Sequence, residues 1–194
     1  MINLEKELYQ NKKRINYFDL GLYNAIELRW MKTILPLFTK NYCLYGFEAC
    51  KFHFDKISHL KDDKTNLFNL AISNSNKEFV NLYHASNKIG HSVYSSKNNV
   101  SDEFEVVKTI RFSKWLKDQK ISLDNSFNIV KINIEGAEWD FFNDLVENGL
   151  HKKIDVIYMS YDNDVDKIGE FKKNGVGEKF SKLLKENKIS PILY

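Results

Sequence analysis

Apolar and polar positions along the chain switch repeatedly between a period of two and a period near 3.6, the marks of strands and helices. The run "INYFDL" (15–20) is short and β-rich, and "YNAIELRWMKTILPLF" (23–38) sets Ile26, Trp30, Ile34 and Leu37 near helical spacing, with an end around Pro36. A second, aromatic-rich strand, "YCLYGFE" (42–48), precedes the short amphipathic stretch "CKFHFDKISHL", and "TNLFNLAIS" (65–73) reads as a third strand. Two further strand-like runs, "EFVNLYHA" (78–85) and "EFEVVKTIRF" (103–112), flank the polar segment "SNKIGHSVYSSKNNVSD", which reads as a loop. "SKWLKDQ" follows as a short helix with Ser113 as its N-cap. "FNIVKINIE" (127–135) is the most buried-looking strand, "AEWDFFNDLVENG" (137–149) a helix stopped by Gly149, and "KIDVIYMSY" (153–161) another strand. The tail from Asp166 supplies one or two helical pieces and a final short strand.

Strands alternating with helices predict one α/β domain over residues 1–194, built on a doubly wound, largely parallel sheet. Ligands of such sheets sit at the carboxyl ends of the strands, near the point where strand order reverses. Four predicted strand ends are polar: Asp19, Glu48, Glu135 and the group Ser160, Tyr161 and Asp162.

Composition removes classes of function without changing that fold. A chain of 194 residues, 43% hydrophobic and 14% aromatic, is long enough for one core. Its 29 basic and 26 acidic residues are mixed along the chain, leaving a net charge of +3 and no basic face of the kind nucleic acid requires. The opening "MINLEKELYQNKKR" has no apolar core, and apolar runs elsewhere fall far short of a membrane span, so the chain reads as soluble and cytoplasmic with no membrane partner. Cys43 and Cys50 read as reduced, buried thiols. "CKFH" offers Cys50 and His53, while His59, His84, His91 and His151 show no ligand spacing, so no metal site is expected.

Candidate chemistry gathers at the strand ends. Asp19 and Gly21 stand where the first strand turns into the first helix, and a glycine there lets backbone approach a ligand that a Cβ would push away. A dinucleotide loop needs further glycines for its pyrophosphate, whereas Leu22, Tyr23, Asn24 and Ala25 follow, which disfavours NAD. S-adenosylmethionine has no pyrophosphate. Glu48, ending the second strand, suits a pair of ribose hydroxyls, although a solvated surface Glu satisfies the same pattern. In "VKINIEGAEWD" (130–140), Lys131, Asn133 and Glu135 alternate along one side of a strand whose other positions are apolar. Gly136 makes the turn, and Glu138 opens a helix where a carboxylate suits the helix dipole. Between the strand-like runs, the loop from Ser86 to Ser101 reads equally as a lid or as a crossover, and its His91 is the one histidine considered for acid or base work.

The order "FDLG", "YGFEA", "NLAIS", "GHSV", "VKTIRFSKWL", "VKINIEGAEWDFFNDLVENGL" and "IDVIYMSYD" resembles the FkbM family of S-adenosylmethionine-dependent methyltransferases from about Tyr17 to Asp162. Its most diagnostic element is the stretch from Lys131 to Glu138. The resemblance implies a Rossmann-like class I methyltransferase fold and methyl transfer to a hydroxyl of a sugar, glycan or small-molecule acceptor. It implies cofactor contacts at Asp19, Gly21, Glu48, Ala71 and Ile72, acceptor contacts at Gly90, His91 and Ser92, and catalytic roles among Lys131, Asn133, Glu135 and Glu138. Three departures stand out: Ala25 replaces the second glycine of the family's D-x-G-A-N-x-G loop, Asn133 replaces an acid, and Ser160, Tyr161 and Asp162 stand where relatives often carry a Glu-aromatic-His group. A non-catalytic FkbM-like binding or interaction module with a degenerate cofactor loop is the competing expectation.

Overall fold

The computed structural model describes residues 13–75, 77–86, 89–160 and 164–194. In chain order the elements are β1 (Arg14–Leu20), α1 (Ile26–Phe38), β2 (Tyr42–Phe47), α2 (Lys51–Ile57), β3 (Thr65–Phe68), β4 (Ala71–Ile72), β5 (Phe79–Ala85), β6 (Val100–Ile110), α3 (Phe112–Asp118), β7 (Ser126–Ile132), α4 (Glu138–Glu147), β8 (Val156–Met159), α5 (Gly169–Lys173), α6 (Val176–Glu186) and β9 (Ile192–Leu193). Six strands form one sheet in the order β3-β2-β1-β7-β8-β9, every neighbouring pair parallel. A small second sheet, β4-β6-β5, holds the antiparallel β5–β6 hairpin.

Burial on both faces explains why the central strands read as nearly continuous apolar runs. Phe18 and Leu20 of β1 pack on one face with Phe112 and Trp115 of α3 and with Phe141 and Phe142 of α4. Ile15 and Tyr17 pack on the other face with Leu28 and Leu35 of α1. The expected α/β architecture, doubly wound and parallel, is therefore what the chain forms.

Several expected elements differ in detail, each for a local physical reason. The stripe Ile26, Trp30 and Leu37 faces outward on α1, 49%, 67% and 78% exposed, while Leu28 and Leu35 face the sheet. Apolar residues at helical spacing occur on both sides of this helix, so periodicity alone cannot choose the buried side. Pro36 lies inside α1, in its last turn, where a missing N–H removes a single helical bond. The expected third strand is two: Asn69 donates its side-chain amide to the carbonyls of Glu48 and Ala49, both at 2.8 Å, and the chain turns there, sending β3 to the central sheet and β4 to the small one. Ser113 does not cap α3, whose preceding residue is Arg111; its hydroxyl and its N–H both donate to the Asp144 carboxylate of α4, at 2.6 and 2.7 Å.

Candidate active site

Because β1, β2 and β7 are adjacent, with Leu20 in register with Phe47 on one side and with Ile132 on the other, their carboxyl ends open on one crevice. Strand order reverses between β1 and β7, the position at which open α/β sheets bind their ligands. A cleft lies there. Its lining brings together Gly21, Glu48, Ala71, Ile72, Gly90, His91, Asn133 and Glu135 of the candidate residues, and adds Tyr23, His53, Leu70 and Val93. Asp19, Ser92, Lys131 and Glu138 lie outside that lining.

The β1–α1 loop is shaped by its neighbours before any ligand arrives. Gly21 has φ +84°, and a Cβ there would stand 1.8 Å from the Asn133 carbonyl oxygen, so the β7 loop itself demands the glycine. Tyr23 and Ala25 both adopt left-handed backbone, at φ 49° and 57°. Glu48 ties this loop to the next one: its carboxylate accepts from the Tyr23 N–H at 2.7 Å and from the Cys50 N–H at 2.9 Å. Burial raises the Glu48 carboxyl above its ordinary range, with those two amides pulling the other way.

Asp19 and Lys131 meet beneath the cleft floor. They are register partners on β1 and β7, their charged groups stand 3.0 Å apart, and their side chains are 0% and 5% exposed. Lys131 also donates to the Gly21 carbonyl at 2.7 Å, and Tyr17 donates its hydroxyl to Asp19 at 3.4 Å. Burial raises the Asp19 carboxyl, and the Lys131 ammonium opposes the rise. The pair thus fastens the β1 loop from below.

The segment expected to alternate along one strand face departs from β structure at its end. β7 stops at Ile132, Glu135 takes left-handed φ 57°, and Gly136 takes φ 105°. Glu138 folds back over this turn, accepting from the Ile134 N–H at 2.9 Å and from the Gly136 N–H at 2.6 Å. Glu135 instead pairs with Lys97, whose ammonium also donates to the Gly90 carbonyl at 3.0 Å. Ser92 donates its hydroxyl to the Glu135 carbonyl at 2.8 Å. Lys97, which comes from the β5–β6 connection, carries no periodic signal in the sequence. Ser160 follows β8, its N–H donating to the Ile132 carbonyl at 3.2 Å; Tyr161 and Asp162 lie outside the described residues.

Spacing keeps the histidines apart, yet folding gathers them. The His53 and His91 rings stack at 5.3 Å between centroids, His84 meets His91 edge-on at 5.0 Å, and one ligand atom each from Cys50, His53 and His91 lies within 4.8 Å of the others. His91 Nδ1 accepts from the Ala85 N–H at 2.9 Å. Burial, then the neighbouring His53, His84 and Lys97, lower the His91 pKa to about 4, so its ring is neutral near pH 7. With Nδ1 an acceptor, the ring's proton sits on Nε2, which suits His91 to donating a hydrogen bond better than to taking a proton. Both cysteines are free and buried.

No helix among the described residues is long and apolar enough to cross a membrane. No curated protein and no solved structure matches the chain. A family model does: that of the methyltransferase FkbM domain, over residues 8–185. A match of that length, on a parallel α/β sheet whose cleft opens at its switch point, places the chain in the FkbM methyltransferase domain family.

Proposed function

We propose that the protein is an S-adenosylmethionine-dependent O-methyltransferase acting on a hydroxyl of a sugar, glycan or small-molecule acceptor. The observation that carries this reading is the lining of the cleft: its described residues include the carboxylate of Glu48, that of Glu135 beside its Lys97 partner, His53 and His91, and no lysine or arginine. A dinucleotide would bring phosphates to that acidic lining, whereas a ligand with a sulfonium and an ammonium group complements it.

The residues present fit that cofactor. Each Glu48 oxygen spends one lone pair on a backbone amide and keeps another for a ribose hydroxyl. Leu70, Ala71, Ile72 and Val93 belong to the apolar part of the lining, suited to an adenine ring, and Asn133 and Glu135 stand at the β7 side. When bound, S-adenosylmethionine supplies an electrophilic methyl group. The chain's own residues then have to orient the acceptor hydroxyl and take its proton. We assign both roles to Glu135, a lining carboxylate paired with Lys97, because Glu138 accepts from its own turn and Asp19 pairs with Lys131 beneath the cleft.

The competing reading, a binding module without turnover, draws on the left-handed Ala25 and on Asn133 in place of an acid. Calorimetric titration with S-adenosylmethionine, run beside methyl transfer from labelled donor to a panel of sugars and polyols, separates the two. Binding with transfer supports the enzyme, binding without transfer supports the module, and no binding removes the enzyme and leaves only an interaction surface.

A further inference from the structure

We propose that Cys50, His53 and His91 form a site for one thiophilic divalent cation, Zn2+ by its ligand set, in the wall of the same cleft. Cys50 is the extended residue that precedes α2, and His53 lies in the first turn of that helix. His91 arrives from the β5–β6 connection, and its ligand atom lies with theirs inside a 4.8 Å triangle. Bond lengths of zinc to sulfur and nitrogen put ligands of one tetrahedral ion roughly 3.3–3.6 Å apart, so small side-chain rotations close the triangle on an ion.

The surroundings favour such an ion. Cys50 and His53 are buried, at 2% and 7% exposure, and one thiolate with two imidazoles is a donor set for zinc rather than for magnesium or calcium. His53 and His91 line the cleft, which gives the ion access and leaves a fourth coordination position for water or a cleft ligand. Against this, burial and then the nearby Glu105 carboxylate raise the Cys50 thiol to about 11, so the ion itself has to displace that proton. Whichever nitrogen of His91 binds, the Ala85 N–H loses its acceptor and the imidazole stays neutral, so one proton leaves per ion, that of Cys50. Occupied, the site would tie the β5–β6 connection to α2 and stiffen one wall of the cleft.

The test needs no cofactor, so its failure leaves the methyl-transfer reading standing. The full chain, stripped with a chelator, is titrated with ZnCl2 by calorimetry and with CoCl2 in a spectrophotometer. One ion per chain with micromolar or tighter affinity is expected, together with a near-ultraviolet thiolate-to-cobalt charge-transfer band. Cys50→Ser should abolish that band, Cys43→Ser should leave it, and His91→Gln should weaken zinc binding by at least about tenfold. His91 is only partly buried, so His91→Gln keeps the test alive if Cys50→Ser does not fold. Millimolar or weaker zinc binding overturns the proposal, as does binding that His91→Gln leaves unchanged.

Discussion

Asp19 with Lys131 and Glu135 with Lys97 are both carboxylate–lysine pairs at the carboxyl ends of the central strands, but they differ in what surrounds them. The first joins register partners on adjacent strands, with both side chains almost wholly out of water. The second joins two loops at the cleft wall, with Lys97 at 2% exposure and Glu135 at 21%. A carboxylate that lies in a ligand cleft and keeps part of its surface in water can exchange a partner for a substrate. One with no exposure and no place in the cleft lining serves the scaffold. The comparison teaches that at these strand ends burial, rather than residue type, separates the floor of the cleft from its wall.

Removing one partner is the harshest test of that distinction. Lys131→Met leaves the Asp19 carboxyl buried without its cation, a loss of about 3–5 kcal/mol of stability. Adding Asp19→Asn to that variant should recover a large part of the loss, because the unpaired charge is then gone. Lys97→Met should cost clearly less than Lys131→Met, since water reaches Glu135. Urea unfolding of the three variants ranks them; equal losses for Lys131→Met and Lys97→Met would end the distinction between floor and wall.

Glu135→Gln probes the wall chemically. It keeps shape and hydrogen bonding but removes the proposed base, so methyl transfer should slow by about 10²–10⁴-fold. Cofactor affinity should change little. Rates measured from labelled donor, beside calorimetric affinities, check both halves, and a rate equal to wild type would take Glu135 out of the proton transfer.

Glu48 lies between the two cases, buried like Asp19 yet in the cleft lining like Glu135. Glu48→Ala should weaken S-adenosylmethionine binding by about one to two decades, from the loss of about 1.5–3 kcal/mol of charged hydrogen bonding. Stability should fall too, because the Tyr23 and Cys50 amides lose their acceptor. Glu48→Gln retains one acceptor oxygen and should fall between. Affinities of the alanine variant and wild type that coincide would assign Glu48 to loop fastening alone.

How much of this was legible in the sequence follows from the range of the forces involved. The parallel sheet was, because β1, β2 and β7 carry their period in consecutive residues, and once they are neighbours Asp19 and Lys131 fall in register. The gathering of Glu48, Asn133 and Glu135 in one cleft follows from the same topology. Lys97 was not legible: it sits in a polar connection without periodicity, and only the hairpin's return places it beside Glu135. The same connection brings His91 to His53, a contact between residues 38 apart that no local spacing announces. The buried side of α1 was illegible for a different reason, two apolar stripes on one helix.

The smallest expected effect concerns Ala25, where the family's loop carries glycine. Ala25 is fully buried and held at φ 57°, in the residue that precedes α1, with no side-chain cap on the helix. A left-handed alanine costs of order 1 kcal/mol that glycine does not, the Cβ meeting backbone at that angle. Against this, Ala25→Gly gives up one buried methyl, about 0.8 kcal/mol, and leaves the unfolded chain freer. The terms nearly cancel, so stability should stay within about 0.5 kcal/mol of wild type. The other glycine of this loop behaves oppositely: Gly21→Ala drives a Cβ into the Asn133 carbonyl and should unfold or displace the β7 loop. Cofactor binding by Ala25→Gly should be equal to wild type or tighter, since removing a methyl group from this turn adds no obstruction to the cleft. Thermal melts and calorimetry on the two variants check the pair. If Ala25→Gly stays folded and binds S-adenosylmethionine clearly more weakly, the loop holds its ligand in a way that depends on the alanine, and the reading of Ala25 as a tolerated strain fails.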